Sequence, residues 1–302
     1  MAKLFSIDTN AKTVKGRKIG YSTAIMYMAP ADIGGPEVCP MRSAGCTAAC
    51  LNTSGRGVFP KVQAARIARK KFYFSDRSGF MAQLVKEIAH HVAKARGQGL
   101  TPCVRLNGTS DIAWERVRVR GPAWQGVKRS IREASSLVEL DDVSVFELFP
   151  TVQFYDYTKI TKRMIAWSRG FIFEGKAGAW PANYHLTFSR SETNHSDCVA
   201  LIAKGCNVAV VYRKGPAPEA CYADTLAPYQ GCRETMFQRM HRGLWPVVDG
   251  DAHDVRFVDG LEGPALERAL RPDGLASLGQ RSCVVALTAK GRAKRDATGF
   301  VI

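Results

Sequence analysis

Short apolar runs of strand length alternate with helix-length segments along nearly the whole chain, and this alternation restricts the fold more than any other feature. Seven runs read as strands: "GYSTAIMYMAP" (20–30), "PCVRLNGTSD" (102–111), "TVQFYDYTK" (151–159), "ANYHLTFSRSE" (182–192), "CNVAVVY" (206–212), part of "LWPVVDGDAHDVRFVDG" (244–260) and "SCVVALTAKG" (282–291). Between them, "PKVQAARIARKKFYF" places Pro at a first-turn position of a helix. "SGFMAQLVKEIAHHVAKARGQG" carries Phe80, Leu84, Val85, Ile88, Val92 and Ala95 at helical spacing, with Gly97 as a stop. "ITKRMIAWSRG" and "HSDCVALIAKG" read as shorter helices, and 113–140 as helical or mixed. Strands separated by helix-length segments pair in parallel through right-handed crossovers. The expected fold is a closed or partly closed (β/α) barrel of six to seven parallel strands, with an open doubly wound α/β sheet as the alternative. Residues 1–302 read as one domain with loop insertions near 169–181 and 215–243.

Polar residues gather just after the strands, in "LNGTSD", "YDYTK", "SRSE" and "TAKGR". In parallel α/β folds the site sits beyond the C-terminal strand ends. Turn chemistry alone explains Gly, Ser and Asp there. It gives less reason for Asp156, Lys159, Arg190 and Glu192. Arg105 and Asn107 alternate onto one side of their strand, with Thr109, Ser110 and Asp111 at its mouth. Tyr155 and Tyr157 share one face, and Asp156 and Thr158 the other. Tyrosines beside basic residues suit stacking on a nucleobase. The candidate catalytic residues are therefore Tyr155, Asp156, Lys159, Ser189, Arg190 and Glu192.

Directly after the first strand comes "VCPMRSAGCTAACLNTSGRG", with Cys39, Cys46 and Cys50 spaced C-x6-C-x3-C. Thiolates are soft ligands suited to zinc or an iron–sulfur cluster. Structural zinc wants four ligands, and no fourth cysteine is adjacent; His90 and His91 fall on a helix. A [4Fe–4S] cluster held by three cysteines leaves one iron open to a small molecule, and S-adenosylmethionine radical chemistry uses such an iron. Zinc, or no metal at all with the thiols as small core residues, stays open. Arg56, between two glycines, is placed to fork onto a carboxylate or phosphate. With Arg105, Asn107, Ser110 and Asp111 it forms the candidate cofactor-binding set.

The chain of 302 residues is 46% hydrophobic, enough for a sizeable core, and its net charge is +16. A surface that basic favours a nucleotide or nucleic acid. No run approaches about 18 apolar residues and the N-terminus lacks a secretory pattern. The expectation is a cytoplasmic protein with reduced thiols and no membrane partner. Asp249, Asp251 and His253 share a face in an extended chain and suggest a divalent-metal phosphoesterase, or merely a turn paired with Arg256. The dinucleotide-binding fingerprint, nucleophile elbow, H-E-x-x-H, kinase and zinc-deaminase signatures are absent from the sequence.

The order "YSTAIMYMAPAD", "CPMRSAGCTAACLNTSGRG", "VRLNGTSDIAWE", "FPTVQFYDYTK", "YHLTFSRSE", "NVAVVY", "DGDAHDVRFVD" and "LTAKGRAKRDATGFV" resembles a phage family called gene product eighty-eight, over nearly the whole chain. The resemblance implies a phage setting, hence host cytoplasm, rather than a reaction. The cysteine loop is also similar to a phage-associated group of radical S-adenosylmethionine proteins, from which its second gap differs by one residue. That similarity implies a radical-enzyme barrel, a [4Fe–4S] cluster on Cys39, Cys46 and Cys50, S-adenosylmethionine, and a reductant such as flavodoxin or ferredoxin. The leading expectation is such an enzyme acting on a nucleotide or nucleic-acid base. The alternatives are a nucleic-acid-binding replication or accessory protein with a structural metal or none, and the divalent-metal phosphoesterase.

Overall fold

A computed structural model describes residues 3–120, 142–170, 180–213, 220–222, 224–229, 244–261, 266 and 283–302. Most of the expected loop insertions, and Cys232, lie outside the described residues. The strands are β1 (Phe5–Ile7), β2 (Tyr21–Met26), β3 (Thr101–Arg105), β4 (Arg118–Arg120), β5 (Asp142–Ser144), β6 (Gln153–Thr158), β7 (Tyr184–Ser189), β8 (Val208–Tyr212), β9 (Ala220–Tyr222), β10 (Pro228–Tyr229), β11 (Leu244–Asp249) and β12 (Val284–Thr288). The helices are α1 (Ala11–Arg17), α2 (Ala44–Ala48), α3 (Pro60–Ser75), α4 (Arg77–Gly97), α5 (Val145–Leu148), α6 (Thr161–Arg169) and α7 (His195–Ile202).

Ten strands form one sheet in the order β1-β2-β3-β6-β7-β8-β12-β11-β9-β10, and β4 pairs with β5 separately. The seven from β2 to β11 in that order are parallel to their neighbours. These are the seven runs legible in the sequence. The expected barrel does not form. β1 pairs antiparallel on the outer edge of β2, and β9 antiparallel on the outer edge of β11. Each outer parallel strand thus has its free hydrogen-bonding edge taken, which leaves none for closure. The protein is an open, mostly parallel α/β sheet.

One face of the sheet carries Ala24, Met26, Val104, Phe154, Leu186, Phe188, Val208 and Val210 into the main core. Phe80, Leu84, Val85 and Ile88 of α4, Met164 and Trp167 of α6, and Leu201 and Ile202 of α7 cover it. Each such side chain, fully buried, contributes about 1.5–3 kcal/mol. α4 begins at Asp76, whose carboxylate accepts the Gly79 N–H at 2.8 Å. α6 stops at Gly170, which takes the left-handed conformation at φ 71°. The opposite face, bearing Tyr21, Cys103 and Tyr155, packs against Val255, Phe257 and Val258 of a 3₁₀ segment. Among the described residues no helix is long and apolar enough to cross a membrane.

Candidate functional site

Seven parallel strands bring seven C-terminal ends to one edge of the sheet. The loop leaving β2 there holds the three cysteines. Cys39 Sγ accepts the Ala31 N–H at 3.4 Å and lies 3.7 Å from the Thr109 carbonyl oxygen, to which its thiol donates. The Asp111 N–H donates back to the Val38 carbonyl at 2.8 Å, so the cysteine loop is laced to the end of β3. Cys46 sits in α2, and its N–H is capped by Ser43 Oγ at 3.2 Å. Cys50 caps the following 3₁₀ turn, with its sulfur accepting the Asn52 N–H at 3.5 Å. Glu192, beyond β7, accepts from Ser43 Oγ and the Gly45 N–H, both at 2.7 Å. Those two donors outweigh the penalty of burial and hold its carboxyl below the ordinary range.

Cys46 and Cys50 add to what opposes ionisation of Cys39, and Cys46 to what opposes that of Cys50. Burial is the larger influence. It pushes Cys39 up to about 12 and raises Cys50, so both are thiols at neutral pH unless a metal displaces the proton. Among the described residues no group of three or more His, Cys, Asp or Glu side chains is gathered so that it could hold a metal ion. The donor chemistry of three thiols with N–H groups aimed at two sulfurs suits a soft metal, although the three each keep separate partners.

The polar residues after β3 and β6 form a buried knot. Asn107 donates from its backbone and side chain to Asp156, at 2.7 and 3.2 Å. Its Oδ1 accepts from Ser110 Oγ, the Ile112 N–H and Trp114 Nε1. Tyr184 donates to Asp156 at 2.8 Å and accepts from Arg163, which also forks onto Glu115. Burial pushes Asp156 up to about 7. Asp111 accepts from Arg163 at 2.7 Å, from Thr158 Oγ1, and from the Lys159 N–H at 2.8 Å. Lys159 Nζ donates to Ser189 Oγ at 2.8 Å. Arg190 donates to the carbonyls of Gly299 and Phe300, holding the last strand-like residues against the sheet. Arg56 is exposed beside the cysteine loop.

The opposite face carries a second network. Arg105 pairs with both oxygens of Asp254 at 3.2 and 3.3 Å and lies over the Tyr157 ring. Tyr155 donates to the same carboxylate at 2.9 Å. Arg256 stands 3.0 Å from Asp259. Lys12 and Lys290 both reach Asp251, at 2.8 and 3.1 Å, and the Thr288 N–H donates to it. Asp249 accepts the Asp251 N–H. Burial, then Arg256, pushes His253 down to about 4. The trio Asp249, Asp251 and His253 is thus built into salt bridges and turn hydrogen bonds, and does not converge as a metal site among the described residues.

The structure therefore brings together Cys39, Cys46, Cys50, Ser110, Asp111, Lys159 and Ser189 on the strand-end rim, with Arg190 and Glu192 as clasps of that rim. Asp156 and Asn107 lie buried beneath it. Tyr155 and Arg105 are turned to the other face. Arg66 lies in the basic run "ARIARKKF" (65–72) but is not among the candidate site residues. Its signal is periodicity: Arg66, Arg69, Lys70 and Tyr73 of α3 fall at helical spacing and point inward. Arg69 and Lys70 donate to the carbonyls of Lys3, Tyr27, Ala31 and Ile33, so the basic cluster holds loops rather than meeting solvent.

No curated protein and no solved structure matches the chain. Nothing in these comparisons supports the similarity of the cysteine loop to radical S-adenosylmethionine proteins. The phage resemblance holds over nearly the full length: the Gene product 88 model matches residues 3–301, and the chain belongs to that family of phage proteins.

Proposed function

We propose that the protein is an enzyme centred on Cys39, Cys46 and Cys50, which bind an iron–sulfur cluster as thiolates, and that it acts on a nucleotide or nucleic-acid base. The observation that carries this reading is the placement of all three cysteines in the one loop that leaves β2 at the C-terminal edge of a parallel sheet, laced by Cys39 to the end of β3. N–H groups of the kind that Ala31 and Asn52 offer tune metal-bound thiolates. A cluster with three protein ligands supplies, when bound, an iron open to S-adenosylmethionine and with it radical chemistry. The chain's own residues position this centre. Glu192 and Ser43 fix α2, the Thr109–Asp111 turn fixes the Cys39 side, and Lys159 with Ser189 presents polar groups to a substrate.

Anaerobic purification followed by treatment with iron and sulfide tests the reading. We expect a brown protein whose bound iron drops to background in Cys46→Ser, and 5′-deoxyadenosine on addition of S-adenosylmethionine and dithionite. A colourless wild type with no more iron than Cys46→Ser sinks it.

The net charge of +16 favours a second reading, a nucleic-acid-binding protein. The buried ion pairs on the opposite face are balanced, so the excess charge belongs elsewhere. This reading expects steep salt dependence of DNA or RNA binding, unchanged when all three cysteines are serine.

A further inference from the structure

Two short segments meet at the strand-end rim. The first follows the cysteines, with 3₁₀ turns at Leu51–Thr53 and Gly55–Val58 leading into Pro60 of α3. The second is the 3₁₀ turn Gly291–Arg295 that follows β12. Gly291 lies so close to Ser54 that a Cβ there would stand 2.5 Å from the Ser54 hydroxyl oxygen. The Gly291–Arg295 turn packs against Leu51–Thr53, and Ala293 is buried with Cys46 and Ala49. With Ala293 turned inward, Arg292, Lys294 and Arg295 are left exposed. A 3₁₀ helix has three residues per turn, which sets Arg292 and Arg295 on one side. Across the contact, the Phe59 N–H donates to the Arg56 carbonyl at 3.3 Å, and the same spacing of three sets Arg56 beside Phe59. Arg56 and Lys61 are exposed, Val58 and Phe59 are each 56% exposed and Leu51 is 51% exposed. Through the Ser54–Gly291 contact, the Cα atoms of Arg56 and Arg292 are at most about 17 Å apart, a span of about five nucleotides at about 3.4 Å each. None of Arg56, Lys61, Arg292, Lys294 and Arg295 forms an ion pair among the described residues. Two bordering acids are committed within the protein. Asp296 accepts from Thr298 Oγ1 and the Gly299 and Val301 N–H groups, and Glu192 from Ser43 and Gly45.

We infer that this surface holds a single strand of nucleic acid along the rim, with the five cations on its phosphates and Phe59 stacked on a base. This rests on the reading of the cysteine rim as a centre acting on a nucleic-acid base, and selects a base within a strand over a free nucleotide. Unpaired cations alone suit any polyanion. An exposed ring beside a guanidinium suits unpaired bases, whose faces a duplex hides. A lipid surface takes a longer apolar face than these turns of three and four residues present.

Fluorescence anisotropy of the full chain with labelled oligothymidylate and oligouridylate, over a series of salt concentrations, tests this. We expect saturable binding to at least one, the tighter of the two identifying the sugar. Each phosphate contact on a single strand contributes about 0.7 to the slope of log K against log salt, so the combined variant Arg292→Gln, Lys294→Gln, Arg295→Gln should lower that slope by about 2. Phe59→Ala should weaken binding about fivefold or more with the slope unchanged, since a stack and not a charge is lost. The charge-matched control is Lys18→Gln, Lys94→Gln, Lys204→Gln, three exposed lysines at the opposite edge of the sheet, ahead of β2, β3 and β8. It should keep the wild-type slope. Equal loss of slope in the two combined variants overturns the inference. So does a lack of saturable binding, a duplex of the same length bound as tightly as the single strand, or binding to phosphatidylserine–phosphatidylcholine vesicles in place of either oligomer. Repeating the titration in Cys46→Ser separates the two proposals. Strand binding without iron uptake leaves this one standing alone, whereas iron uptake without strand binding leaves only the cluster.

Discussion

The two faces of polarity in this protein, the network under β3, β6 and the 250–259 segment and the rim at the strand ends, use the same kinds of side chain with opposite accounting. In the first, Lys12, Arg105 and Arg256 stand against Asp251, Asp254 and Asp259. In the second, Glu192 serves N–H and O–H groups, Asp111 serves such groups together with Arg163, and Arg66 and Lys159 keep neutral hydrogen-bond partners. A balanced, dehydrated network fixes a segment in place and offers a ligand nothing. An unbalanced one lowers stability and is retained where something else supplies the missing charge.

The sharpest way to break this comparison is Asp254→Ala. It strands Arg105 and removes the acceptor of Tyr155, and should cost about 3–5 kcal/mol in urea unfolding. A loss under about 1 kcal/mol would mean the network is not what holds the 250–259 segment. Next in size is Asp156→Asn, which has a pH signature. The Asp156 carboxyl titrates near 7 in the fold, above its ordinary value of 3.8. Between those values the folded state keeps a proton that the unfolded state has released. Rising pH therefore destabilises the wild type relative to the variant, by about 1.4 kcal/mol per pH unit at the steepest. Unfolding midpoints at pH 5 and pH 8 read the sign, and a gap independent of pH would refute it. Cys46→Ser sharpens the comparison from the other side. The residue is half-buried at the rim, so stability should move by less than about 1 kcal/mol while iron uptake disappears. The smallest effect belongs to Lys290→Ala. Lys290 is 50% exposed and Lys12 remains on Asp251, so the change should stay within about 0.5 kcal/mol by thermal unfolding.

Much of the architecture was legible because parallel strands buried on both faces read as apolar runs, and β2, β3, β6, β7, β8, β11 and β12 each do. The failure to close was not legible. It depends on β1 and β9, three residues each, too short to carry a period. The cysteine rim was readable from its place after a strand. The separation of Tyr155 from Asp156 was readable too, since neighbours on a strand point to opposite faces. Their depth was not, because it depends on partners at Asp254 and Tyr184, far along the chain. The run "ARIARKKF" shows the limit most clearly. Its charge suggests solvent or a polyanion, yet Lys70 is fully buried against the carbonyls of Ala31 and Ile33.

One feature of the rim has a bearing on assembly. A side chain at Gly45 would collide with Thr298, Phe300 and Glu192, so α2 is seated between the end of β7 and the final residues. Cys46 thus docks beside residues far from it along the chain rather than beside its sequence neighbours. The seat of α2, and with it the place of Cys46, is therefore complete only when the segment after β7 and the segment after β12 are both docked against it.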